Sequence, residues 1–430
     1  MISPLIAARP GGADIRPATS GPAIEVAPGL WLSEGLSNSY LWCTGEGRVV
    51  VNTGMGFEGP SHRRRYDEVS DAPIQAVVFT QGHVDHVGGT GSFADADMVI
   101  AQSANPRCQA DDARIHRFRV KRSAIFWAEA VAAADEWFRS QPGGGVSSAQ
   151  AAPTPTLTFD ERLAVAFGDD PDDHAQLIAV PGGETIDSLV VWMAERGIVL
   201  IGNLCSALFG HIPNLVTLRG DRSRDPLAFV ASVQRVIDLD AELLCTGHFS
   251  PISGAANVRV ELERVRDATV WLHDAVVEAM NSGLTVHEAM ASIRLPDHLE
   301  VGQGYGKVAW DVRAIWEGYA GWFHHRSTTE LYAVSPLSIA PDLVELAGGS
   351  TAIIARAAGH VAADRPTEAL HLLEIAIATD GEDPTAWVVW RDAHELLLDH
   401  AIATEGNFWE IGWLRNQISR ADHRITRASR

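Results

Sequence analysis

The hydrophobic pattern changes character once along the chain. From residue 24 to about 79, short apolar runs alternate with turn residues, which is the spacing of strands. Tyr40-Leu41-Trp42-Cys43, then Thr44-Gly45-Glu46-Gly47, then Arg48-Val49-Val50-Val51 predicts a hairpin, and Ala76-Val77-Val78-Phe79-Thr80 a buried strand. Residues 113–139 have helical spacing and run into the breaker Gln141-Pro142-Gly143-Gly144-Gly145. Strand-like runs resume at 177–180, 189–193 and 198–201. A helical pattern over 229–239 leads to a strand at 242–245. Beyond about residue 256 each periodic segment reads as helix: 258–280, 286–293, 308–322, 352–362, 367–378 and 384–401. The stretch from Pro366 on suggests stacked antiparallel helix pairs, without a sustained 34-residue repeat.

Two β-rich halves with interspersed helices predict a pair of packed sheets covered by helices, an α+β fold with an all-α appendage. Residues 1–22, rich in Gly, Pro and Ala, read as a flexible arm. Residues 23–256 form the expected catalytic domain and 257–430 the helical one. The tryptophans of the last third (Trp310, Trp316, Trp322, Trp387, Trp390, Trp409, Trp413) suit a helical core or a subunit interface.

Composition narrows the function. The 430 residues are 46% hydrophobic and 21% charged, enough apolar material for a sizeable core. The net charge of −21 argues against a nucleic-acid partner, and any anionic substrate needs local positive charge. Cys43, Cys108, Cys205 and Cys245 are scattered with no CxxC pair, which fits a reducing compartment and small buried thiols. The start lacks a basic n-region and a full apolar h-region, and no apolar run approaches the roughly 20 residues that span a bilayer. Cytoplasmic location and no membrane partner are therefore expected.

The chemistry concentrates in Gln81-Gly82-His83-Val84-Asp85-His86-Val87-Gly88-Gly89, directly after a strand-like run. Two histidines and a carboxylate within four positions are costly to bury unless they share a cation or a polar network. The segment resembles the Thr-His-x-His-x-Asp-His signature of the metallo-β-lactamase superfamily. Further landmarks appear in order. Val50-Val51-Asn52-Thr53-Gly54 resembles V-D-T-G, and Val180-Pro181-Gly182-Gly183-Glu184-Thr185 resembles P-G-H-T. Leu200-Ile201-Gly202-Asn203 resembles the G-D segment, and Cys245-Thr246-Gly247-His248 the final G-H. The resemblance implies an αββα sandwich over residues 24–255 and a one- or two-metal centre.

A narrower resemblance is to alkylsulfatases. Glu184 takes the place of the P-G-T-E glutamate of that branch. Asn214-Leu-Val-Thr-Leu-Arg219-Gly220, followed by Arg224-Asp225, is similar to H-N-L-Y-T-L-R-G-A-x-V-R-D. There the asparagine and the arginine contact sulfate, which implies substrate binding by Asn214 and Arg219. His211, just upstream, is a further candidate for the cleft. Trp316-Glu-Gly-Tyr-Ala-Gly321-Trp322-Phe323 and Glu345-Leu-Ala-Gly348-Gly349 resemble the alkylsulfatase dimerisation domain, implying a homodimer through the helical part. The sequence ends without the lipid-carrier-like domain of long-chain alkylsulfatases, which removes the usual argument for a detergent-like substrate.

Two positions depart from the pattern. Gln81 replaces the first histidine and Asn203 the bridging carboxylate, and an amide oxygen is a weak zinc ligand. The expectation is one tight Zn²⁺ at Asp85, His86 and His248. A second metal at Gln81, His83, Glu184 and Asn203 would be weak or absent. The metal would lower the pKa of its water and supply a hydroxide that attacks a sulfate, phosphate or carboxylate ester, with Asp85 among the catalytic groups. His83 or Glu184, free of metal, would then act as general base or orient the water. A lyase with one metal or none, and a non-catalytic scaffold of the same fold, are the alternatives. The basic island Arg114-Ile-His-Arg117-Phe-Arg119-Val-Lys121-Arg122 reads as a solvated helix face. His62 and His174 have no motif partner.

Overall fold

The computed structural model describes residues 2–18, 21–140, 150–404 and 406–428. The breaker at 141–145 lies outside them. Thirteen strands form two sheets. The first runs in chain order through β1 (Ile24–Ala27), β2 (Leu30–Ser33), β3 (Ser39–Cys43), β4 (Arg48–Val51), β5 (Ile74–Val78), β6 (Met98–Gln102) and β7 (Leu157–Phe159). The second holds β8 (Arg162–Ala166), β9 (His174–Ala179), β10 (Leu189–Met193), β11 (Ile198–Gly202), β12 (Leu243–Thr246) and β13 (Ile252–Ser253), again in order. Both sheets are mixed: β4–β5–β6–β7 and β11–β12 pair in parallel, and the other neighbours are antiparallel.

Strand periodicity sorts side chains between layers. Val49 and Val51 of β4, Ala76 and Val78 of β5, and Tyr40 and Trp42 of β3 share one core with Leu177, Leu189, Val191 and Leu200 of the second sheet. This is the contact between the two sheets. Their neighbours Leu41, Val50 and Val77 point the other way, into a core with Tyr66 and Phe93 from the helical cover of the first sheet. On the second sheet Val190, Val199, Ile201 and Leu244 enter a third core with Phe229, Val233, Leu262 and Leu272. Helix Pro226–Ile237, capped by the Asp225 side chain, and helix Ala255–Asn281 supply that cover. The layers are therefore helix, sheet, sheet, helix: the αββα sandwich expected from the sequence.

Compact units part at Gly318. Helices Ala255–Asn281 and Val286–Ser292, and Val308–Ala320 up to Gly318, lie on the sandwich side of that boundary, and Val265, Val276, Val312 and Ile315 are buried in its third core. The second unit, 319–430, is all-helical. Ile353, Ala357, Leu373 and Val389 form its core, and Trp387 and Trp409 are fully buried.

Local expectations are corrected at three places. Residues 2–18 are not loose: Ile6 joins the third core, Ser3 donates to Glu261, and the Ala18 N–H donates to Glu58 at 2.8 Å. The 113–139 periodicity resolves into Asn105–Arg114, His116–Phe126 and Ala128–Ser140, broken at Ile115 and Trp127, where φ falls to −109° and −104°. The helices Ala340–Leu346 and Phe408–Ala428 were not anticipated. Among the described residues no single helix is long and apolar enough to cross a membrane. One bent pair, Pro336–Leu346 with Ser350–Ala362, meets that test by length and composition.

Candidate metal and anion site

The sequence landmarks meet at the C-terminal ends of strands from both sheets. Asn52 follows β4 at φ +61°; its side-chain carbonyl accepts the Thr80 N–H at 2.9 Å and its amide donates to Thr80 Oγ1 at 3.0 Å. This clasp joins the ends of β4 and β5 and presents Gln81–His86. His83 is the residue that opens the single turn Val84–Val87, with Asp85 in it, where a carboxylate favours the exposed N–H groups. Glu184 follows β9, Asn203 follows β11 and His248 follows β12.

The site has two unlike halves. In the first, His86 and His248 are buried, and both ring nitrogens of each lack a hydrogen-bond partner. Burial lowers the pKa of both, that of His248 to about 4, which favours the uncharged rings. Asp85 Oδ2 lies 3.7 Å from His86 Nε2 and accepts from Ser37 Oγ at 2.5 Å. Burial opposes its ionisation, but His86, His83 and Ser37 hold its pKa below the ordinary value. Each neutral ring offers one lone pair, so His86 and His248 with the Asp85 carboxylate make a two-imidazole, one-carboxylate donor set that suits a divalent cation. Among the described residues no three His, Cys, Asp or Glu side chains are already closed around a common point. The orphaned nitrogens weigh more, because their desolvation has no protein partner to offset it.

The second half is closed on itself. Gln81 Nε2 donates to Glu184 Oε2 at 2.9 Å, His83 Nδ1 lies 3.2 Å from the same oxygen, and Asn203 Nδ2 donates to it at 3.2 Å. On the other side His83 Nε2 faces Asp221 Oδ2 at 3.5 Å. Burial would lower the His83 pKa, but Asp221 and Glu184 more than offset it and raise it to about 10. Burial likewise opposes ionisation of Glu184, and His83 and Arg224 hold it well below the usual range. An imidazolium cannot ligate a metal or accept a proton. Without a metal the two carboxylates favour the protonated ring of His83, while Gln81 Nε2 lies 2.9 Å from its Nδ1.

Asn214 is 2% exposed and its side-chain amide nitrogen has no partner. Arg219 is largely buried, with Nη2 3.9 Å from Asp221 Oδ2 and Nε unpartnered. Arg224 ties the loop to the site, donating to the carbonyls of Asn214 and Glu184. His211 acts elsewhere. Its Nδ1 accepts the Gly304 N–H at 2.9 Å, and burial lowers its pKa to about 4. It anchors the strap 301–306, which brings Tyr305 to the site. Burial raises the Tyr305 pKa, as do Glu184 and Asp85, while Arg219 and Arg224 oppose them.

Asp221, Arg119, Tyr305 and Ser37 were missed in the sequence. Arg119 lies in the basic island read as a solvated face, yet it is 8% exposed and reaches Asp112 and Asp221. The sole signal was that island within an acidic chain. His62 is buried against Ser33 Oγ at 2.6 Å, its pKa lowered to about 3 by burial.

The metallo-beta-lactamase superfamily profile matches residues 32–106, and the alkyl sulfatase dimerisation profile matches residues 285–403. In these two segments the chain resembles alkylsulfatases. It is 29% identical over 359 residues to a linear primary-alkylsulfatase of a Pseudomonas species, covering 79% of this chain and 66% of that protein. It is 24% identical to the alkyl/aryl-sulfatase of Saccharomyces cerevisiae, covering 66% and 46%. The alkylsulfatase-like chain thus spans about half to two thirds of the length of these curated relatives. The stereoselective inverting sec-alkylsulfatase Pisa1 from Pseudomonas superposes with a TM-score of 0.79 at 20% identity, over 93% of this chain and 65% of that one. That likeness is one of fold.

Proposed function

We propose that this protein hydrolyses sulfate esters with the help of one divalent metal held by Asp85, His86 and His248. The observation that carries the reading is the burial of four unpartnered imidazole nitrogens beside an ionised carboxylate. A zinc or similar ion there would act as a Lewis acid toward water and toward charge developing on the ester. The chain's own groups do the rest. Arg219 and the unpartnered Asn214 amide hold the anionic group and stabilise charge as the ester oxygen departs. Before substrate enters, His83 stands between Glu184 and Asp221, and both carboxylates favour its protonated form. Glu184 is a fixed anion that orders Gln81, His83 and Asn203. Tyr305 adds a hydroxyl beside Arg219.

Turnover of matched sulfate, phosphate and carboxylate esters, measured with and without a chelator, tests this. We expect alkyl or aryl sulfates to be preferred and chelation to abolish their turnover. Preference for another ester, or turnover that survives chelation, contradicts the reading.

We further propose a homodimer through the helical unit. Trp322, Tyr332, Val334 and Leu346 expose large apolar side chains there, with Leu346 84% accessible, and they lie within the dimerisation-profile match. Large apolar side chains exposed within one unit suit an interface.

A further inference from the structure

The densest charge beyond His86 and His248 surrounds one carboxylate oxygen. Asp221 Oδ2 lies 3.5 Å from His83 Nε2, 3.5 Å from Arg119 Nη2, 3.7 Å from Arg224 Nη2 and 3.9 Å from Arg219 Nη2. These cations come from three separate stretches of chain. The same oxygen is buried and forms no hydrogen bond. Guanidinium–carboxylate pairs that fit each other close to roughly 2.7–2.9 Å. Here the groups face Asp221 at ion-pair distance without closing, as around a guest smaller than the cradle.

The other carboxylates do not fill this place. Asp112 takes Arg119, and Glu184 takes Arg224 and His83. Among the described residues Arg219 has no other ion pair, and its Nε is buried without a hydrogen bond. Gly220, at φ +92°, reverses the backbone between Arg219 and Asp221, so residues two apart meet in the same spot.

We propose that Asp221 is an internal occupant of the anion subsite, standing where the anionic group of a sulfate-type ester binds and displaced when that group enters. This rests on the reading of Asn214 and Arg219 as the anion clamp. A tetrahedral oxyanion offers three free oxygens to the three guanidinium groups and the Asn214 amide, where the carboxylate offers one. With Asp221 in place, an entering anion meets a negative charge at contact distance. Asp221 therefore lowers affinity for anions in general and selects ligands that can expel it.

Calorimetric titration of inorganic sulfate into the full chain tests this, with folding followed by circular dichroism and thermal melting. Asp221→Asn, isosteric and uncharged, is expected to bind sulfate about tenfold or more tighter than the wild type. Arg219→Met added to it is expected to remove the gain. Asp221→Ser serves as the second variant if the asparagine protein does not fold. Wild-type binding as tight as in Asp221→Asn overturns the internal occupant and leaves the anion clamp standing. A gain that survives Arg219→Met, or no sulfate binding in either uncharged variant, overturns the proposal at this place. The ester-hydrolase reading is judged separately by turnover.

Discussion

At the scale of single residues, the two halves of the candidate site differ in their histidines. The ring nitrogens of His86 and His248 are buried without hydrogen-bond partners, whereas His83 lies between the carboxylates of Glu184 and Asp221. Replacing His86 or His248 by Ala is expected to lower turnover by at least about a hundredfold, measured as initial rates. A loss of less than about tenfold in both would mean that the chemistry lies elsewhere. A second expectation concerns Asp311, which is buried and accepts the Leu215 N–H at 3.2 Å beside Asn214. Burial raises its pKa well above the ordinary value. The folded form therefore holds this proton more tightly than the unfolded chain. The associated stability is full below the unfolded pKa of 3.8 and is lost as pH rises through the folded one. Asp311→Asn keeps the acceptor and removes the charge. It should melt higher than wild type at pH 8 by a few degrees, about 2–4 °C per kcal/mol, with the gap closing toward pH 4. A gap that widens on acidification would reverse the assigned sign.

At the scale of elements, the site is held by close backbone approach. A Cβ on Gly306 would lie 2.4 Å from the Ile212 carbonyl and 2.6 Å from that of Pro213. The strap can thus press on the loop before Asn214 because that position has no side chain. Gly306→Ala should destabilise the sandwich unit by about 1–3 kcal/mol and weaken turnover more than a comparable surface change. Unaltered melting and turnover would show that the contact is easily relaxed.

Elements also explain what the sequence made legible. Val49, Val50 and Val51 carry the strand alternation on their faces, and each landmark sits at a strand end, so the sandwich and most of the site could be read. Arg119 and Asp221 could not. Their meeting depends on how helix His116–Phe126 lies against the 214–225 loop, and no local spacing encodes it. Helix Phe408–Ala428 has many charged and polar positions, which masked the stripe formed by buried Trp409, Leu414 and Ala421. The N-terminal Gly and Pro suggested looseness, yet Ile6 and Ser3 carry enough contact to fix that segment.

At the scale of the whole molecule, the net charge of −21 leaves Arg119, Arg219 and Arg224 as the local positive charge that the proposed anionic substrate needs. Assembly belongs here too. Leu346→Glu puts a charge on the apolar face of the helical unit and is expected to shift the protein from dimer to monomer in analytical ultracentrifugation. An unchanged sedimentation coefficient would place the interface elsewhere. The central claim is that one half of the centre takes a metal and the other has replaced it with a charged histidine. Its most direct test is the metal-to-protein ratio of wild type, His248→Ala and His83→Ala, read by elemental analysis after equilibration with zinc. We expect ratios near one, near zero and near one; a wild-type ratio near two, or retention of metal in His248→Ala, would contradict the account.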